Sequence, residues 1–250
     1  MSISIIDNEI CLNCRKETCA FIDVVTKSGT IFTSEGTVCP TGILQSNPAT
    51  LQPNPFSKKE CIKCGLCVGY CNKSNLRITD TSNGFSPDCS SIGLNVLVSN
   101  YLNKIFPFAA NSNRNSSVLF DAYVELDKEK EAFVEVDEKD ALECCRNLMG
   151  DFLLYEGQFS KEVSTGLIVL KEIPRKGSSN VFNVIEKMHV FPKLETKQIY
   201  FTTFSFLRHL FLSHIPSGAS FDTLFFNPLN ESYYEYSIRI QKETGFSCKL

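Results

Sequence analysis

No apolar run in these 250 residues approaches the roughly 18–20 residues that a membrane-spanning helix requires, so no membrane span is expected. The opening segment, MSISIIDNEI, has no basic stretch leading into an apolar one, which gives no secretory signal and points to a cytoplasmic protein. Charge of one sign is also scarce. Lys and Arg number 25 against 28 Asp and Glu, a net −3 that offers no electrostatic case for a nucleic-acid or membrane partner. The chain has no Gly-rich nucleotide fingerprint, no P-loop and no nucleophile elbow. Its three histidines, His189, His209 and His214, have no carboxylate or cysteine at catalytic spacing, and His209, on an apolar helix, reads as packed. Ordinary apolar and charged fractions argue against both disorder and a fibrous class.

Cysteine is abundant instead, and unevenly placed. Of twelve, eight lie between Cys11 and Cys71, and only Cys89, Cys144, Cys145 and Cys248 follow. A reducing compartment disfavours disulfides, so dense cysteine in such a chain reads first as metal ligation. One group is Cys61-x2-Cys64-x2-Cys67-x3-Cys71, in which a tight loop turns three thiolates inward at two-residue intervals. Gly65 and Gly69 suit such a wrap, because backbone amides must come close to inorganic sulfide and glycine adds no Cβ. The other is Cys11-x2-Cys14-x4-Cys19, then a gap to Cys39-Pro40-Thr41-Gly42. Two zinc sites of four cysteines each are the alternative. Zinc ribbons, however, use two cysteine pairs separated by a long loop, whereas here four cysteines are packed into eleven residues.

With this spacing and the Cys-Pro-Thr-Gly tail, residues 5–80 resemble bacterial-type dicluster ferredoxins. The resemblance implies two [4Fe–4S] clusters. In that family the fourth cysteine of each group ligates the other group's cluster, so Cys11, Cys14, Cys19 and Cys71 would hold one, and Cys61, Cys64, Cys67 and Cys39 the other. The chain departs from the pattern in three places. Two extra residues precede Cys19, a 19-residue stretch that alternates like a hairpin around Ser28-Gly29 precedes Cys39, and Asn72 rather than Pro follows Cys71.

Residues 46–59 read as an irregular connection, and the texture changes after Cys89 to longer periodic elements. The expected architecture is α+β, with a ferredoxin-like dicluster domain over 1–88 and a mixed α/β domain over 89–250. In the second domain the periodicity predicts helices over 92–106, from Asp137 to about Tyr155, over 180–188 and around 207–212. Strands are predicted over 118–126, 131–136, 166–173, 199–204, 223–226 and 233–240, and 111–117 is predicted to be a polar loop. Asp137 is expected to cap the second helix, whose apolar stripe would be Ala141, Cys145, Leu148 and Phe152. Cys144 and Cys145 read as small core residues, and Cys89 and Cys248 have no partners at ligand spacing.

The order of helix, loop, hairpin, helix and strand over about 90–175, with Asp121 on the first hairpin strand and Glu135 near the end of the second, resembles the core of restriction-endonuclease-like (PD-(D/E)xK) nucleases. That resemblance implies that Asp121 and Glu135 hold a divalent metal. Phe120 stands where the family has Pro, Asp137 stands where it has Lys, and the first helix has no Glu at the usual place, which makes this a degenerate copy. By strand alternation Asp121, Glu135 and Asp137 share the hairpin's more polar face; a solvated acidic face is the simpler account. Lys171, Arg175, Lys176 and the Gly-Ser-Ser after them read as a solvated loop, with a phosphate site at the next helix start as the alternative. The first functional expectation is electron transfer with a redox partner protein. The second is a nucleic-acid-associated protein with structural or sensory clusters.

Overall fold

Two compact units divide the chain, Met1–Asn103 and Lys104–Leu250. The computed structural model describes residues 3–5, 40, 61–69, 71, 76–78, 85, 87, 91–106, 109–111, 121–126, 130–137, 140–155, 162–174, 180–213, 215 and 218–248. Cys11, Cys14, Cys19, Cys39 and Cys89 lie outside them, as do the hairpin expected around Ser28-Gly29, His214 and the Arg175–Ser179 loop.

In the first unit β1 (Ile3–Ile5) pairs antiparallel with β2 (Leu76–Ile78), with Ile3 opposite Ile78 and Ile5 opposite Leu76. The whole eight-cysteine segment therefore begins and ends at one two-stranded ribbon. Among the described residues between them is one helical turn, α1 (Leu66–Gly69). Helix α2 (Ser91–Ile105) follows, and the division between the units falls in its last turn. Its apolar residues Leu94, Leu97, Val98, Tyr101, Leu102 and Ile105 recur at three- and four-residue intervals and all are buried.

The second unit is a mixed α/β structure built on a five-stranded sheet in the order β3-β4-β5-β6-β7. Strands β3 (Ala109–Asn111), β4 (Ala122–Glu125) and β5 (Lys130–Val136) form an antiparallel meander. Strands β6 (Glu162–Leu170) and β7 (Gln198–Thr203) then add parallel to β5 and to each other. Each parallel joint needs a crossover. Helix α3 (Ala141–Leu154) supplies the first and α4 (Val181–Met188) the second. The two parallel strands β6 and β7 carry unbroken buried runs, Leu167–Leu170 and Ile199–Phe201, as strands covered on both faces do. Packing of α3 on the sheet is close: the rings of Phe133 and Phe152 stack at 5.9 Å between centroids, and Gly166 leaves room for Leu148 and Phe152.

Four expectations from the sequence are corrected. Asp140, not Asp137, caps α3, its side chain accepting from the amides of Leu142 and Glu143, while Asp137 Oδ1 accepts from the Asp140 amide at 2.9 Å. Residues 223–226 are not a strand. Helix α6 (Phe221–Leu224), after α5 (Phe204–Leu212), takes Thr223 and Leu224, and Phe226 makes a single bridge to Phe201. Residues 233–240 belong to helix α7 (Tyr233–Thr244). The alternating aromatic and aliphatic positions there suggested a strand, but Tyr236 and Ile240 are buried while Tyr234 and Ile238 lie exposed, a pattern with helical spacing. A reciprocal capping box between Ser232 and Glu235 fixes the helix start. Asn111, read as the start of a polar loop, ends β3. Among the described residues no helix is long and apolar enough to cross a membrane.

Candidate functional site

The first candidate is the loop carrying Cys61, Cys64, Cys67 and Cys71. Cys64 and Cys67 are buried, and Cys61 and Cys71 are partly exposed. The backbone curls around Cys64 because its two neighbours are both left-handed: Lys63 has φ 58° and Gly65 φ 82°. For Gly65 that conformation is free of side-chain cost; for Lys63 it is uncommon. The chain then enters α1, closed by Gly69 N–H donating to the Gly65 carbonyl at 2.8 Å, and Cys71 N–H donates to the Val68 carbonyl at 3.3 Å. Alternating signs of φ over successive residues gather backbone N–H groups on one side, the concave arrangement that binds anions, iron–sulfur clusters among them. The Cys64 carbonyl faces elsewhere and accepts from the Tyr101 hydroxyl of α2 at 2.6 Å, a buried bond. Among the described residues no three His, Cys, Asp or Glu side chains are arranged to hold one metal ion. The fit of this loop to an anionic cluster therefore rests on its backbone and on the thiolate chemistry of its donors.

The second candidate is a set of carboxylates beneath α3. Asp121 lies immediately before β4 and ties it to β5 from both ends: its amide donates to the Val134 carbonyl at 3.1 Å and its Oδ2 accepts from the Val136 amide at 2.9 Å. Glu135 is on the same face of the meander, and that face is not solvated as an exposed acidic face would be, since Glu135 is only 5 % exposed. Asn147 Nδ2, from α3, donates to Glu135 Oε2 at 3.3 Å, whereas Glu135 Oε1 is buried without a hydrogen-bond partner. Asp151, one turn further along α3, is 2 % exposed and its Oδ2 is likewise buried with no donor.

Burial pushes the Glu135 carboxyl up to about 8, with the charges of Asp121 and Asp151 adding to it and the Asn147 side chain and the Asp121 backbone amide partly offsetting it. Burial and then the Asp121 charge push Asp151 up to about 6. The thiol of Cys144 on α3 is raised for the same reasons, burial first and then Glu135, Asp137 and Asp121. Asp121 and Glu135 thus come together as the sequence suggested, and Asp137 is engaged at the start of α3. Asp151 was not anticipated. Its signal was available: it is the one acidic residue in the buried stripe of α3, among Ala141, Cys144, Cys145, Leu148 and Phe152.

The remaining residues singled out in the sequence have structural settings. His209 donates from Nε2 to the Thr244 carbonyl at 2.8 Å and packs against Phe246; His189 donates from Nδ1 to the Glu195 carbonyl at 2.7 Å. Cys144 and Cys145 are core residues, Cys248 is partly exposed, and Lys171 is exposed. No protein-family model matches the chain, and no match is found among curated proteins or solved structures.

Proposed function

We propose that this chain is an iron–sulfur protein that binds two [4Fe–4S] clusters and passes electrons to or from a protein partner in the cytoplasm. The eight ligands would be Cys11, Cys14, Cys19 and Cys71 for one cluster and Cys39, Cys61, Cys64 and Cys67 for the other, in a ferredoxin-like domain followed by a mixed α/β domain. The observation that carries this reading is the cysteine-bearing loop at 61–71, which holds four cysteines within eleven residues and whose backbone is left-handed on both sides of Cys64. The antiparallel pairing of β1 with β2, which closes the cysteine segment upon itself, supports it. The thiolates would bind iron, backbone N–H groups gathered by the alternating φ signs around Cys64 would favour the added electron, and burial of Cys64 and Cys67 restricts water. The bound clusters supply reversible one-electron chemistry at potentials set by hydrogen bonds, burial and charge. Anaerobically purified protein is expected to carry about eight iron and about eight acid-labile sulfide per chain, with visible absorption that dithionite bleaches. Stoichiometric zinc without labile sulfide would overturn the reading, and clusters silent to reduction would remove electron transfer from it.

A second reading has its own observation. In chain order α2, the meander β3–β4–β5, the crossover α3 and the parallel strand β6 follow the helix–hairpin–helix–strand succession of the restriction-endonuclease-like core, with Asp121 at the head of β4 and Glu135 near the end of β5. On this reading the second domain is a degenerate nuclease-like module that associates with nucleic acid, with a divalent cation held at Asp121 and Glu135. The buried, donorless oxygens of Glu135 and Asp151 are the acceptor chemistry such a cation would take. DNA and RNA binding at low salt, with and without manganese, tests it: binding that Asp121→Ala and Glu135→Ala weaken supports it, and no binding at low salt rejects it.

A further inference from the structure

The bond between Tyr101 and Cys64 links the cysteine loop to a residue 37 positions away. A buried carbonyl needs a donor, and this one finds it in a side chain rather than in secondary structure. The consequence lies on the other side of the peptide. The Cys64–Gly65 peptide is trans, as are all described peptides, so its carbonyl and its N–H point in opposite directions. Holding the oxygen against Tyr101 therefore turns the Gly65 N–H away from Tyr101. Rotation of this one peptide is the freedom left to a segment whose flanking residues are both left-handed, because glycine at 65 imposes no steric preference of its own. Tyr101 is fully buried, which fixes its ring and hence the direction of its hydroxyl.

We propose that Tyr101 is a positioning residue for the cluster bound at Cys61, Cys64 and Cys67, fixing the Cys64–Gly65 peptide so that the Gly65 N–H is presented to cluster or cysteinyl sulfur and raises that cluster's reduction potential. The proposal rests on the iron–sulfur reading above and assigns part of the control of its potential to a residue outside the cysteine motif. Reduction adds negative charge to the cluster, so an N–H dipole aimed at it favours the reduced state more than the oxidised one. A donated hydrogen bond on the oxygen side polarises the peptide and strengthens its N–H as a donor.

The test is an EPR-monitored redox titration of the full chain, purified anaerobically, as wild type, as Tyr101→Phe and with 3-fluorotyrosine at position 101. Tyr101→Phe keeps the buried ring and removes the hydroxyl. It is expected to retain wild-type iron and sulfide, to lower one of the two midpoint potentials and to leave the other in place. The expected change is at least threefold in the reduction equilibrium, about 28 mV for a one-electron couple. 3-Fluorotyrosine is a stronger donor and is expected to move the same potential upward, which keeps the proposal testable if Tyr101→Phe fails to assemble its clusters. Full iron with unchanged midpoints in either variant would leave Tyr101 as packing alone and overturn the proposal. Wild-type protein without iron and labile sulfide would overturn the cluster reading, and this inference with it; the metal content of the wild type separates the two failures.

Discussion

Replacing Glu135 by Gln should make the protein more stable at neutral pH, and the margin follows from where the carboxyl sits. Glu135 titrates at about 8 in the fold against 4.5 for an ordinary glutamate, chiefly because it is buried beside Asp121 and Asp151. A carboxyl whose pKa is raised by folding costs nothing below 4.5, where it is protonated in both states. Its cost grows with every pH unit up to about 8 and is constant beyond, so this group makes stability fall as pH rises, the reverse of a carboxylate held by a salt bridge. At about 1.4 kcal/mol per pH unit the cost is about 3 kcal/mol at pH 7 and about 5 kcal/mol above pH 8. Gln keeps the length and shape, can still accept from Asn147, and offers its own N–H to the Asp121 or Asp151 carboxylate. Glu135→Gln should therefore match wild type near pH 4.5, gain about 3 kcal/mol at pH 7, and raise Tm there by about 6–12 °C for a protein of this size. Thermal melts of the two proteins at half-unit intervals from pH 4.5 to 8.5 give the difference curve. Curves that stay parallel, or a variant less stable at pH 7, would refute the account of a buried, protonated carboxyl. Repeating the series with manganese bears on the second functional reading, because a cation bound at the carboxylates stabilises wild type preferentially.

Other expectations are simpler. Cys67→Ser should lower bound iron from about eight to about four per chain, read by metal analysis of anaerobic protein, because it removes a ligand from only one of two clusters; unchanged iron would exclude Cys67 as a ligand. A Cβ at Gly166 would stand 2.8 Å from Leu148 Cδ1 and 3.2 Å from Phe152 Cζ, both on side chains buried between α3 and β6. Gly166→Val should accordingly cost about 1–3 kcal/mol by overpacking, seen as a lower midpoint in urea. Ser232→Ala removes the oxygen that accepts from the Glu235 amide at the start of α7 and should cost about 1 kcal/mol, measured in the same way.

The elements legible in the sequence are those whose burial follows a single period. Helices α2 and α3 show apolar residues three and four apart and are placed by the chain alone, whereas only the apolar second half of β6 is: the strand expected over 166–173 begins at Glu162, in the mostly polar stretch Glu162–Thr165, and ends at Leu170. The C-terminal helix was not, because Tyr234, Tyr236, Ile238 and Ile240 alternate by coincidence with a helical set of Tyr233, Tyr236 and Ile240. Only burial separates the two patterns, although Ser232 and Glu235, three apart, already spelled a helix start. Asp140 displaced Asp137 as the cap of α3 for a similar reason: both residues suit the role, and the register of β5 decides which one is left at the helix entrance. The cysteine group at 61–71 can be seen in the sequence because its members are local. The bond of Tyr101 to Cys64 and the approach of Asp151 to Glu135 cannot, since each depends on packing of a helix against a segment elsewhere in the chain.

The carboxylates bear on what the second unit is for. Burying acidic groups beside one another is unfavourable, and a fold selected only for stability would place an amide or an aliphatic residue at 135 and at 151. Glu135 Oε1 and Asp151 Oδ2, buried without a donor, are open acceptors, and a proton satisfies one carboxyl at a time while a divalent cation satisfies several. The position where a nuclease-like site would carry lysine is Asp137, whose Oδ1 is committed to the Asp140 amide at the start of α3. A cation held here would therefore not find, at position 137, the ammonium that the nuclease-like resemblance assigns to that place.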